Sequence, residues 1–222
     1  MFCSIDLMPN RTLPRNLYKY RPFDIYTLHL LSDAESYYAN SKIFNDPLDC
    51  DGTLKGDSDV ASMERLYSEM IPTTGAENRK EKVNKAITAL RYRATYAEDE
   101  NDNAAKSEKR YTQLLRKEIE KLFDAEMNSW GVFSLAEDWN CSLMWSHYAD
   151  KHRGFCIEYD TSINNCSCIK PVDYRVWRGI NISELMQWKL EQSSEAERKV
   201  LEKYFFTTGK TKGSGVFCDC SV

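Results

Sequence analysis

Between Ser129 and Asp160 the chain reads strand, helix, strand with almost no spare residues, and this tight alternation constrains the fold more than any other feature. Gly131-Val132-Phe133-Ser134-Leu135 has the β-branched and aromatic content of a buried strand, closed by Glu137-Asp138. Asn140 or Ser142 can cap a short helix from Ser142 to Asp150, with Leu143, Met144, His147 and Tyr148 on one face at i, i+3, i+4 spacing. Gly154 breaks that run, and Phe155-Cys156-Ile157-Glu158-Tyr159 follows as a second strand. Aromatic rings, imidazoles and hydroxyls are concentrated here, so a functional site is expected in this stretch.

The remaining segments supply partners for those two strands. Residues 17–21, 37–43 and 169–175 read as further strands, the last at an edge because it contains Pro171. Phe23 to Leu31 carries a weak helical pattern. Phe44 to Gly52 (FNDPLDCDG) is a turn, since Asx side chains bond the backbone ahead and Pro fixes φ; its acidic residues do not continue in calcium-loop register. Ser58 to Asn128 is helical and charged. It presents three apolar faces: Met63, Leu66, Tyr67, Met70; then Val83, Ile87, Leu90; then Tyr111, Leu114 or Leu115, Ile119, Leu122, Met127. Its charges are mixed in sign, as on solvated helix faces. Thr161 to Cys168 is turn-rich, and Ile182 to Phe206 reads as one helix.

The expected fold class is α+β: a small mixed sheet covered by helices, with 58–128 as a helical insertion. A single domain is expected over 1–208, because 222 residues with 42% hydrophobic content suffice for one core. Residues 209–222, with three Gly and two Cys, fit an irregular or disordered tail.

Net charge is −4, which argues against a broad nucleic-acid footprint while leaving room for a local patch. No apolar run approaches the ~20 residues of a membrane span, and the first residues lack the pattern of a secretory signal. Eight Cys in such a chain read as reduced thiols, which makes the cytoplasm the expected compartment. The CxC pairs Cys166/Cys168 and Cys218/Cys220 lack the usual CxxC spacing of structural zinc sites and a nearby His, so no metal is expected.

The segments LYKYR (17–21), FNDPLDC (44–50), GVFSLAED (131–138), LMWSHYADKHRGFCIEYD (143–160) and VDYR (172–175) occur in the order of the motifs of the bacterial domain-of-unknown-function 2971 family, which this chain resembles up to about Thr207. In that family a final helix leads into an E-x-E-W/Y-R motif. Gly209 to Val222 stands in its place, so the resemblance implies a chain truncated or frame-altered before the motif. By fold analogy the resemblance implies an ADP-ribosyltransferase-like domain that binds a nucleotide-type ligand such as NAD.

The implied roles fall on six residues. Arg21 contacts a phosphate or ribose, and Tyr18 lines the same cleft. Ser134 forms its floor, Trp145 and Tyr148 stack on a ring, and His147 donates to a ligand oxygen; His147 and Ser134 are the catalytic candidates. The carboxylate that stabilises an oxocarbenium-like ribose belongs to the E-x-E motif, so whether the chain is catalytic stays open. Structural roles stand beside each of these. Trp145 and Tyr148 fit core aromatics whose polar tips meet backbone, and His147 fits a satisfied imidazole. Arg21 fits an ion pair with Asp46 or Glu158. Two alternatives also stand: a non-catalytic interaction or accessory module of bacterial stress or phage defence, and a nuclease or other phosphodiester enzyme using Asp46, Asp49 and His147 with a metal.

Overall fold

The computed structural model describes residues 13–33, 36–40, 53–73, 78–96, 104–162, 169–172, 179–206 and 215–220. Helices and strands are interspersed along the chain, and a small antiparallel sheet combined with helices makes the protein α+β. The chain divides into two compact units, one from residues 1–51, 128–177 and 205–222, the other from 52–127 and 178–204. The 58–128 helices therefore do not stand alone as an insertion: the helices after residue 178 join them.

The first unit is built on a six-stranded sheet. Its strands are β1 (Asn16–Arg21), β2 (Ala39–Asn40), β4 (Gly131–Ala136), β5 (Phe155–Asp160), β6 (Ile169–Pro171) and β8 (Gly215–Cys220). The order is β5-β1-β4-β8-β6, with β2 also on β4. Every pairing in it is antiparallel, so the sheet is not mixed as the sequence suggested. Between β1 and β2 lies α1 (Ile25–Asp33), and between β4 and β5 lies α5 (Ser142–Tyr148).

Strand β8 corrects the expectation of an irregular tail over 209–222. All six of its residues pair with β4, from Gly131↔Cys220 to Ala136↔Gly215, and it carries β6 on its other side. The reason is non-local. Val216 and Phe217 are good strand formers, but the Gly-rich surroundings hide a six-residue run that only the open edge of β4 stabilises. Of expected strand 37–43, only Ala39–Asn40 is strand, 37–38 is described but not strand, and 41–43 lies outside the described residues; expected strand 169–175 is described only to 172, and the 44–52 turn, 163–168 and 209–214 also lie outside.

The second unit contains α2 (Val60–Met70), α3 (Arg79–Thr95), α4 (Ala104–Met127), α6 (Ile182–Lys189), α7 (Ser194–Phe205) and a parallel pair, β3 (Leu54–Lys55) with β7 (Ile180–Asn181). In α4 the buried side chains are Tyr111, Leu115, Ile119, Phe123 and Met127, a ridge at four-residue steps. Phe123 therefore takes the place expected for Leu122, and Leu115 is chosen over Leu114. Each such burial contributes on the order of 2 kcal/mol. The expected 182–206 helix is two helices. Gln192 adopts φ 54°, and the Ser193 hydroxyl caps α7 by accepting the Ala196 N–H at 3.3 Å. Among the described residues no helix is long and apolar enough to cross a membrane.

Candidate functional site

Strands β1 and β5 pair along their full length, from Asn16↔Asp160 to Arg21↔Phe155. Directly opposed residues of an antiparallel pair share a face. One face therefore carries Leu17, Lys19 and Arg21 with Phe155, Ile157 and Tyr159. The other carries Tyr18 and Tyr20 with Cys156 and Glu158. This parity separates the site residues expected from sequence: Tyr18 and Arg21, three apart on one strand, lie on opposite faces.

On the first face, Leu17, Phe133, Leu135 and Ile169 form a buried cluster with Leu13, Tyr38 and Tyr159 against it. The rings of Tyr38 and Tyr159 stand 5.5 and 5.6 Å from that of Phe133. Lys19 emerges beside them. Strand β8 takes the whole of one edge of β4, so β1 and β2 share the other: β1 pairs at Ala136, and β2 at Val132 and Gly131. Phe133 to Leu135 are left between them without a ladder partner on that edge among the described residues. The Lys19 ammonium enters this notch, donating to the Ser134 carbonyl at 2.7 Å and to Ser134 Oγ at 3.1 Å, with Nζ 4.7 Å from the Phe133 ring centre. A backbone acceptor that would otherwise go unmet is thereby satisfied by a side chain. Gly131 is needed where β2 meets β4, since a Cβ there would lie 2.6 Å from Cβ of Tyr38.

The electrostatics of the notch are unusual. Burial, and secondarily the Arg21 guanidinium, push the Lys19 ammonium down from 10.5 to about 8. Arg21 is half-buried, and its Nε is buried with no hydrogen-bond partner. Neither cation has a carboxylate partner among the described residues. Arg21 does not pair with Glu158, which projects from the opposite face; Asp46 lies outside the described residues.

The second face is covered by α5. Tyr20, Ala136 and Ala149 are buried there, with Met144, Trp145 and Cys156 against them. Trp145 meets Tyr20 edge-on, with centroids 5.3 Å apart and planes at 88°, and its Nε1 donates to the Trp139 carbonyl at 2.8 Å. This is a core aromatic with its polar tip on backbone. Tyr20 donates to the Asp138 carbonyl at 2.6 Å. Helix α5 is thus rotated from the expected face: Met144, Trp145 and Ala149 turn inward, while Leu143, His147 and Tyr148 are exposed. Burial, followed by the Glu158 carboxylate, raises the Tyr18 hydroxyl above its ordinary value. The same two causes raise the half-buried Cys156 thiol, which disfavours the thiolate.

After α5, Asp150, Lys151 and His152 take φ values of 46, 55 and 70°, and the Ala149 carbonyl accepts from Arg153 and Gly154 N–H at 3.0 and 2.8 Å. This left-handed turn delivers the chain into β5. Gly154 is required there, because a Cβ would stand 2.1 Å from the Arg21 carbonyl oxygen.

The structure therefore brings Ser134 and Arg21 to the neighbourhood of Lys19, turns Trp145 inward from α5 onto Tyr20, and leaves Tyr18, His147 and Tyr148 elsewhere. Lys19 lies inside the 18–21 stretch expected to line the cleft, but no role of its own was expected for it. The available signal was a lysine flanked by tyrosines in the middle of a strand, at a position where strand parity leads to the aromatic face. Among the described residues no group of three or more His, Cys, Asp or Glu is placed to hold a metal ion. Comparison of the chain with family models, with curated proteins and with solved structures finds no match.

Proposed function

We propose that the sheet face bearing Lys19 and Arg21 binds a nucleotide-type anion such as NAD, the ligand class implied by the resemblance to the domain-of-unknown-function 2971 family. The observation that carries this reading is a pair of half-buried cations on one sheet face with no carboxylate partner among the described residues, beside the rings of Tyr38, Phe133 and Tyr159. Desolvated cations are costly, and a phosphate offsets that cost with charge-assisted hydrogen bonds. The free Arg21 Nε–H is a donor for a phosphate oxygen, and the rings offer a wall for a base or nicotinamide. The ADP-ribosyltransferase-like part of the reading needs a carboxylate next to the ribose. The β5 residues on this face are Phe155, Ile157 and Tyr159, and Glu158 lies on the other, so the geometry supports binding better than glycosyl transfer.

Thermal stability titrated with NAD, ADP and AMP tests this. Wild type should gain Tm with ligand, as any molecule that binds only the folded state stabilises it. Arg21→Gln and Lys19→Met should remove the gain, and His147→Ala should keep it. No gain in the folded wild type, or a gain that survives both cation substitutions, overturns the placement. Loss in His147→Ala alone would move the site to α5.

One observation favours a non-catalytic interaction module as a second reading: Phe23, Ile25, Tyr26, Leu28 and Leu31 are all exposed large apolar side chains on and before α1. A nucleotide-insensitive Tm would shift the weight to it.

A further inference from the structure

Helix α3 departs from the charge balance of the rest of the chain. Within Arg79–Thr95 there are six cationic side chains against one carboxylate, Glu81, in a protein of net charge −4. The helix separates them by partner. Arg91 bonds Glu64 at 2.6 Å, Arg79 pairs with Glu69 at 3.4 Å, and Lys82 donates to the Pro72 carbonyl at 2.9 Å. Leu90 and Ala94 are buried. On the far side Lys80, Lys85 and Arg93 are exposed, with no hydrogen bond or ion pair among the described residues.

Lys85 lies beside Tyr92 at the centre of this outer face, Lys80 and Arg93 stand on its two flanks, and the Glu81 carboxylate lies between Lys80 and Tyr92. Positions 80, 84, 88 and 92, and 81, 85, 89 and 93, are two adjacent ridges at four-residue steps. An open concavity of about 850 Å³ runs along them; Lys80, Lys85, Arg93 and Tyr92 line it together with one carboxylate, Glu81, so cations outnumber the anion three to one. Lys80 to Arg93 spans roughly 20 Å of helix axis at ~1.5 Å per residue. At its C-terminal end Tyr92 and Tyr96 are 63% and 68% exposed, with ring centroids 4.4 Å apart and planes at 35°. Large exposed rings next to unpartnered cations are poorly explained by solubility alone.

We infer that this face of α3 docks single-stranded nucleic acid, with Lys80, Lys85 and Arg93 on phosphates and the Tyr92–Tyr96 pair as a stacking platform. The chemistry is complementary on both counts. Cations on one face follow a phosphate backbone, and an exposed ring presents its π-face to an unpaired base regardless of sequence. An acidic polypeptide would use the cations and leave the rings without a role. The inference is independent of nucleotide binding at Lys19 and Arg21, which lie in the other unit.

Fluorescence anisotropy with a labelled oligothymidylate of about 20 nucleotides tests it, within the range of known single-strand sites. Wild type should bind at low salt, with log Kobs falling against log salt at a slope of about −2, as expected for three phosphate contacts at ~0.7 each. Combining Lys80→Gln, Lys85→Gln and Arg93→Gln should flatten that slope, and Tyr92→Ala should weaken binding roughly tenfold while keeping it. All four positions are exposed, and circular dichroism verifies that each variant is folded. Absence of binding overturns the inference, as does unchanged binding by the triple variant. Labelled polyglutamate bound as tightly as the oligonucleotide would also overturn it and assign the face to an acidic protein. If the triple variant loses DNA binding but keeps the NAD response, this inference stands apart from the nucleotide site.

Discussion

Replacing Lys19 by Met should change how stability depends on pH, and the size of the change follows from the notch. The fold moves the ammonium from 10.5 to about 8. At about 1.4 kcal/mol per pH unit, the folded state disfavours charged Lys19 by about 3 kcal/mol. For a base whose folded value is depressed, the unfolded chain holds more protons between about pH 8 and 10.5, so stability rises with pH across that window. Below pH 8 both states are protonated and the full penalty applies. Raising the pH from 7 to 10 should therefore stabilise wild type relative to Lys19→Met by about 2 kcal/mol. Tyr18, Tyr20 and Tyr159, each raised by burial first, titrate in both proteins and largely cancel in the difference. At pH 7 the variant escapes the penalty but leaves the Ser134 carbonyl without its 2.7 Å donor, a loss of about 1–3 kcal/mol, so it should be of equal or slightly greater stability. Urea unfolding at the two pH values, followed by the fluorescence of Trp130, Trp139 and Trp145 in the unit that holds Lys19, measures the difference. Parallel pH profiles for the two proteins would mean that the ammonium is solvated, and the account of the notch as a strained cation site would fail.

Two substitutions test the packing around this site and in the helical unit. Gly154→Ala places a Cβ 2.1 Å from the Arg21 carbonyl oxygen and 3.0 Å from backbone atoms of Ala149, none of which can swing aside. It should cost about 2–3 kcal/mol and lower Tm by roughly 5–10 °C in a calorimetric scan; an unchanged Tm would refute the close approach. Glu64→Gln keeps the side-chain shape but removes the charge shared by Arg91 and the Tyr111 hydroxyl, over whose ring Arg91 lies at 4.3 Å. Because Arg91 is half exposed, the expected loss is about 1 kcal/mol in urea unfolding, shrinking as salt is added to wild type.

The candidate site was half legible. The sequence places Arg21 and Ser134 among site residues, and both lie beside the notch. It also groups them with Trp145 and Tyr148 because these share a strongly aromatic stretch. Proximity in sequence says nothing about which face of a sheet a residue takes. The one-residue parity of β1 sends Arg21 and Lys19 to the face opposite Tyr18, and α5 lies over Tyr20 on that other side. Likewise, the three basic residues on the outer side of α3 disappear into a mixed-charge block until Glu64 and Glu69 take up Arg91 and Arg79 and leave Lys80, Lys85 and Arg93 without such partners among the described residues.

Local chemistry in the sequence determined where the strands β1, β4 and β5 and the helices α2, α3 and α4 form, because periodicity, capping residues and breakers act within a few positions. Asp59 illustrates this, accepting the Ser62 N–H at 2.9 Å as the cap of α2. Tertiary structure alone decided what depends on distant partners. Gly215–Cys220 becomes a central strand because β4 and β6 flank it, and 182–206 divides at Gln192, where a Ser193 cap begins a second helix. The depressed Lys19 is of the same kind: its desolvation arises from a gap between β1 and β2 on an edge of β4, more than ninety residues along the chain. Pairing energies across such separations leave no periodic trace in the sequence.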